Sequence, residues 1–327
     1  MRFSDIIGQD DIKDHFIRAV KNSHISHAYI MNGEEGMGKK ALAQAFAAYV
    51  LCINRGADDS CGECASCKKL EHGNHPDITF VTHEKTVLSV DDIRTQLNDT
   101  IDIKPYESEK KLYIVDEAEL MTEEAQNALL KTIENPPEYA IILLLTANAD
   151  KFLPTILSRC VRLNLKPLPE STIEKYLMKK YEIADYMAKV YAAFSQGNIG
   201  KAEKAYMDPE FKERRENVVN LMTKARTIKY FDYLDRINEI IKDKETLPEF
   251  LSLCRLYLRD VLVYKTTGDE KALCFSDENF EIRKQAGSDS LETLNHKLMA
   301  IDSAEQRLSH NVRADLVFTE LFLELRK

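Results

Sequence analysis

The sequence predicts an α/β protein with a parallel sheet flanked by helices on both faces, a metal-binding insertion, a small helical lid and an all-α third part. Three observations carry this. Short apolar runs alternate with helical patterns over the first half; a phosphate-loop pattern, Gly33-Glu34-Glu35-Gly36-Met37-Gly38-Lys39-Lys40, follows the first run; and after Pro167 and Pro169 only helical spacing remains. Strands buried on both faces read as such runs, here Ala28 to Met31, Ile78 to Val81, Leu112 to Val115, Ile141 to Leu145 and Val161 to Leu165.

The 327 residues, 44% hydrophobic and 30% charged, are enough for two or three domains, and 11 Gly with 9 Pro argue against long disorder. A formal charge of -9 means the surface as a whole is no footprint for nucleic acid, so any DNA contact is local or shared with partners. No apolar leader follows Met1, and Ala140 to Leu145 is too short to span a bilayer, so a cytoplasmic location is expected.

Phe3 to Gln9 leads into a helix that buries Ile12, Phe16, Ala19 and Val20. The phosphate loop then follows its strand and opens a helix from Lys40 to Cys52, whose N-terminal amides suit an anion; Gly33, Gly36, Gly38, Lys39 and Lys40 are the candidate nucleotide-loop residues. One position departs from the pattern. Ser or Thr belongs after the loop Lys because its hydroxyl ligates Mg²⁺; Lys40 cannot ligate a cation and brings positive charge to where the metal would sit. ATP or phosphate is therefore a doubtful ligand.

Cys52, Cys61, Cys64 and Cys67 crowd into one segment, and four thiolates at this spacing suit a tetrahedral Zn²⁺. A closed set leaves no position for chemistry, so a structural clip is expected over 52–76. His72 and His75 are assigned surface or helix-capping roles. Leu112 to Val115 ends in Asp116 and Glu117, which after a phosphate loop read as the metal-holding and water-polarising carboxylates. A helix from Thr122 to Glu134 follows and stops at Asn135-Pro136-Pro137. A polar end on the strand before Thr146 could touch a phosphate, and Arg159 on the turn Ser158-Arg159-Cys160 reads either as a solvated surface residue or as one that could reach a neighbour's phosphates.

Ser171 to Lys180, Ile183 to Phe194 and Gly200 to Met207 read as three short helices. Beyond Pro209, Leu247, Phe250, Leu251, Cys254, Leu258, Val261 and Leu262, and then Leu316, Phe318, Leu321, Phe322 and Leu325, mark apolar faces of a bundle. Cys254 and Cys274 lack partners at ligand spacing and are assigned to the interior or to free thiols. The expected domains are 1–167, 168–208 and 209–327.

Phe3 to Gln9, His27 to Lys40, the cysteine cluster, Asp116-Glu117-Ala118, Asn127 to Thr132 with Glu134 and Pro136-Pro137, and Ser158-Arg159-Cys160 together resemble the AAA+ clamp-loader subunits of bacterial DNA polymerase III. The match is specific in the first half and one of helical layout in the rest. Two subunit types share the motifs. The ATP-hydrolysing tau/gamma type carries Thr after the loop Lys and usually an Arg-bearing sensor 2 segment; here stand Lys40 and Gln196-Gly197-Asn198-Ile199-Gly200-Lys201-Ala202, similar to the delta-prime type.

The resemblance implies an AAA+ nucleotide fold, a helical lid and a collar that holds subunits in a ring. It also implies tau/gamma and delta subunits as partners, with the sliding clamp and primer-template DNA reached through the assembly. Arg159 would act in trans on a neighbour's ATP. No independent enzyme activity is expected, and any polymerase label belongs to the holoenzyme. The alternative is an active ATPase of the tau/gamma type, for which Asp116 and Glu117 speak; between the two lies nucleotide binding without turnover, Lys40 supplying part of the metal's charge. A zinc-based nucleic-acid module is disfavoured, since Asp58, Asp59, Glu63 and Glu71 surround the basic pair Lys68 and Lys69.

Overall fold

The computed structural model describes residues 1–83, 86–227, 240–241 and 246–326. The third predicted domain therefore includes stretches, 228–239, 242–245 and Lys327, that lie outside the described residues. The chain divides into two compact units, 1–168 with 198–200, and 169–197 with 201–327.

The first unit is built on five parallel strands, β1 (Ala28–Asn32), β2 (Ile78–Val81), β3 (Lys111–Val115), β4 (Ala140–Thr146) and β5 (Val161–Asn164), in the order β2-β3-β4-β1-β5. Side chains alternate across the sheet. Tyr29, Met31, Leu112, Ile114, Leu143 and Leu145 join the core under α1 (Asp10–Lys21) and α2 (Lys39–Leu51). Ala28, Ile30, Tyr113, Val115, Ile142 and Leu144 face the opposite core, shared with the helical stretch 90–101 and with α4 (Glu123–Glu134). Both faces are covered, which is why the central strands read as unbroken apolar runs. A stack of aromatic rings fixes the first core: Phe16 lies 4.0 Å from Phe46, centroid to centroid, with Tyr29 edge-on to both.

Parallel strands place their carboxyl ends on one edge, the edge where ligands bind in open α/β sheets. The loop after β1, the carboxylates after β3 and the turn after β4 meet there. Between α2 and β2 the cysteine segment folds around α3 (Ala65–Glu71). A short helix α5 (Pro154–Leu157) carries the chain from β4 toward Arg159 and β5.

The second unit is helical. Helices α6 (Glu170–Tyr181) and α7 (Asp185–Ser195) pair, and the long α10 (Leu247–Thr267) packs against α7, α9 (Phe211–Lys224), α11 (Asn279–Ser288) and α12 (Leu291–Ser309), with α13 (Ala314–Leu325) against α12. The intervening α8 (Ile199–Met207) completes the numbering. Cys254 and Cys274 are buried, as expected of interior thiols. Leu316 is not part of the buried stripe: Val317, Phe318, Leu321, Phe322 and Leu325 hold the i, i+3/i+4 face, and Leu316, one position off it, is 55% exposed. A buried ion pair, Lys297 Nζ to Asp289 Oδ2 at 2.8 Å, ties α12 to the turn before it, and Arg226 shares the carboxylate. Among the described residues no helix is long and apolar enough to cross a membrane.

Candidate functional site

The phosphate loop takes its form from two glycines. Gly36 and Gly38 stand at φ +87° and +90°, a region closed to most side chains, and Gly38 caps the start of α2. Lys39 folds back on its own loop, donating to the carbonyls of Gly33 at 2.5 Å and Glu34 at 3.0 Å. Burial pulls its ammonium below the ordinary lysine range, and the carboxylates of Glu119, Asp116, Glu35 and Glu34 oppose that.

Lys40 reaches across to the end of β3, its Nζ 3.2 Å from Asp116 Oδ2. In a phosphate loop the space between residue 40 and this carboxylate belongs to Mg²⁺, held by a hydroxyl on one side and the Asp on the other. Here an ammonium spans it. Three donors and no lone pair cannot serve a metal, so the residues present do not fit Mg²⁺. The second carboxylate, Glu117, is paired with His83 Nε2 at 3.2 Å.

Sequence reasoning missed three participants. Glu119 Oε1 accepts the Ala147 N–H at 2.9 Å, tying the end of β3 to the end of β4, while Asn148 N donates to the Thr146 hydroxyl at 3.0 Å. The Thr146 hydroxyl thus has a partner within its own turn. Asn198 and Gly200 lie on the phosphate loop: Asn198 Nδ2 donates to the Glu35 carbonyl at 2.7 Å and Gly200 N to the Gly36 carbonyl at 3.0 Å. A Cβ at Gly200 would come within 2.6 Å of Gly36 Cα, so only glycine permits this approach. Gly197 and Gly200, three residues apart, mark a turn in the sequence but carry no sign of which loop that turn meets.

The four cysteines converge. Their sulfurs all lie within 4.8 Å of one another, with Cys52–Cys61 at 3.5 Å, Cys52–Cys64 at 3.9 Å and Cys61–Cys67 at 4.0 Å. A tetrahedral ion with Zn–S bonds of about 2.3 Å requires sulfurs about 3.8 Å apart. The donor set fits such an ion. Backbone N–H groups of Cys61, Cys64 and Cys67 point at the sulfurs of Cys52, Cys61 and Cys64 respectively; the Cys61 and Cys64 thiols are pulled down, while burial holds those of Cys52 and Cys67 up. Burial pushes the Cys64 thiol up, but the amides of Cys67 and Ile53 outweigh it and hold the group at about 6.

His75 corrects a sequence expectation. It is buried rather than at the surface: its Nδ1 accepts the Asp77 N–H at 3.1 Å, which leaves the proton on Nε2, 3.0 Å from Ser66 Oγ, and Ser66 in turn donates to the Leu51 carbonyl at 2.8 Å. The hydrogen-bond direction makes Ser66 an acceptor from His75, so the pair is no nucleophile and base; it buttresses the cysteine segment. His72 caps the C-terminus of α3, as expected. Burial lowers the His75 pKa, opposed by Asp77 and Glu107 and aided by Lys69. A histidine with a depressed folded pKa stabilises the fold above its unfolded value of about 6.5, and that contribution is lost as pH falls toward the folded value. Thermal melts between pH 7.5 and 5.5 are expected to show a fall in stability that His75→Gln flattens; an unchanged slope in the variant would rule out this source.

Arg159 sits just past α5, 39% exposed at its side chain. Nη1 donates to Thr155 O at 3.0 Å and Ser158 Oγ at 3.2 Å, and Nη2 lies 3.0 Å from Glu134 Oε1. Cys160, its neighbour, is partly buried against the core under α4.

A family model described as DNA polymerase III, delta subunit, matches residues 8–169. A Bacillus subtilis chain described as DNA polymerase III subunit delta' is 30% identical over 312 residues, 94% of this chain and 93% of its own length. The Haemophilus influenzae DNA polymerase III subunit tau/gamma is 37% identical over 175 residues, 54% of this chain but 25% of that one. Among solved structures, a Thermotoga maritima DNA polymerase III gamma subunit-related protein is similar at a TM-score of 0.46 and 20% identity, over 96% of this chain and 98% of that one.

Proposed function

Since the chain belongs to the DNA polymerase III clamp-loader family of delta-prime and tau/gamma subunits, we propose that it is the delta-prime-type member, one that does not hydrolyse ATP. The observation that carries this is the Lys40–Asp116 ion pair, which puts an ammonium where hydrolysis needs a metal. Further support comes from the loop itself, whose Lys39 is turned onto the Gly33 and Glu34 carbonyls and whose Gly36 is covered by Gly200. Glu34, Glu35, Asp116 and Glu119 around Lys39 add negative charge that disfavours a polyphosphate.

In this role the AAA+ sheet of 1–167 is a frame. Residues 168–208 form a lid and 209–327 the collar that joins the ring. Zn²⁺ held by Cys52, Cys61, Cys64 and Cys67 clips the insertion without taking part in chemistry. Arg159 is the arginine finger given to the ATP of a tau/gamma neighbour. The subunit works in the cytoplasm with tau/gamma and delta, and meets the sliding clamp and primer-template DNA as part of that assembly.

The test is reconstitution. Mixed with the tau/gamma and delta subunits of its own organism, the purified chain is expected to form one discrete complex that loads the clamp in an ATP-dependent way. Alone it should turn over no ATP above background. Failure to assemble would remove the clamp-loader role. Metal-dependent turnover by the isolated chain, abolished by Lys39→Ala, would instead establish the active-ATPase alternative that Asp116 and Glu117 support.

A further inference from the structure

We infer that Glu134 is a positioning residue for Arg159, fixing the guanidinium so that its remaining donors face a neighbouring subunit. This rests on Arg159 acting in trans. Glu134 ends α4, where the helix's negative pole disfavours a carboxylate. Among the described residues its one charged partner is Arg159, from a different element, at 3.0 Å. The guanidinium supplies the counter-charge that the helix's negative pole does not.

The geometry restrains the fork from two sides. Thr155 O and Ser158 Oγ accept from Nη1, Glu134 Oε1 stands 3.0 Å from Nη2 as an ion pair rather than an aligned hydrogen bond, and Nε has no partner among the described residues. An arginine on a turn otherwise samples many rotamers, and a finger must present its N–H groups in one plane to a phosphoryl oxygen. Glu134 reduces that search in advance. The pair is exposed by 39% and 43% on its two sides, so it adds little to fold stability, and it leaves Nε for a phosphoryl oxygen. For that reason Glu134 orients the guanidinium without sequestering it.

The experiment is a double-mutant cycle in the reconstituted clamp loader, with DNA-stimulated ATP turnover as readout. Glu134→Gln is expected to lower kcat about tenfold, less than the roughly 10²-fold that a 1 Å misplacement of a catalytic group can cost, with KM for ATP and the melting temperature unchanged. Glu134→Asp, which keeps the charge, should lose less. In an Arg159→Ala background Glu134→Gln should have no further effect. If Glu134→Gln matches or exceeds wild-type turnover, or lowers it equally in both backgrounds, Glu134 does not act through Arg159. If Arg159→Ala alone leaves turnover intact, the finger itself is lost, a separate outcome.

Discussion

Arg159→Ala in the assembled clamp loader is expected to cut ATP turnover at the neighbouring tau/gamma site by about 10³-fold, the scale of arginine fingers supplied in trans. The fold and the assembly should survive. Arg159 is more than a third exposed, and an ion pair of that exposure contributes only about 0–1 kcal/mol. The variant's melting curve and its elution with its partners are the controls. Arg159→Lys should recover little: an ammonium carries the same charge but not the planar fork that addresses two oxygens at once, nor the bonds to Thr155 and Ser158 made together with the Glu134 ion pair. Clamp loading on primed DNA should fall with turnover. Wild-type turnover from Arg159→Ala complexes would take Arg159 out of the mechanism.

The sheet is legible in the sequence for a definite reason. β3 and β4 are wholly buried, so their apolar runs name them, and the loop glycines announce the turn after β1. The ends shift by a residue: β4 starts at Ala140 and reaches Thr146, and α2 begins at Lys39 rather than Lys40. Contacts between distant segments are a different matter. Lys40 is recognisable as a departure from the motif, but its pairing with Asp116 depends on β1 and β3 being brought to one edge across β4. Glu134 and Arg159 are each visible in motifs, yet nothing in either motif says they touch. His75, beside Pro76 and among polar residues, reads as a surface group; only the Ser66 and Asp77 partners make its burial affordable. The cysteines lie at the other extreme, because their ligand spacing is local and survives into the geometry.

The same locality makes the cysteine centre the most fragile element. Cys64→Ser is expected to abolish stoichiometric zinc in the purified chain and to unfold the 52–76 segment, since apparent zinc binding in small modules is on the order of 10 kcal/mol and the segment has little core of its own. Cys64 would contribute a ligand and it caps α3, its sulfur accepting the Cys67 amide, so the substitution would remove a ligand and weaken the helix start together. The effect should spread to the N-terminus. Asp59, within the same segment, accepts the amides of Phe3 and Ser4, and Phe3 packs edge-on to Tyr49. Limited proteolysis should therefore cut near Arg55 and Lys68 in the variant or after chelation, and amide exchange should rise at residues 3 and 4, while β1, β3 and β4 stay protected. The helical second unit should keep its fold, as none of its residues belongs to the cluster. A native preparation that holds no zinc, and that neither melts lower nor cleaves faster with chelator, would show that the four thiols are packed without a metal.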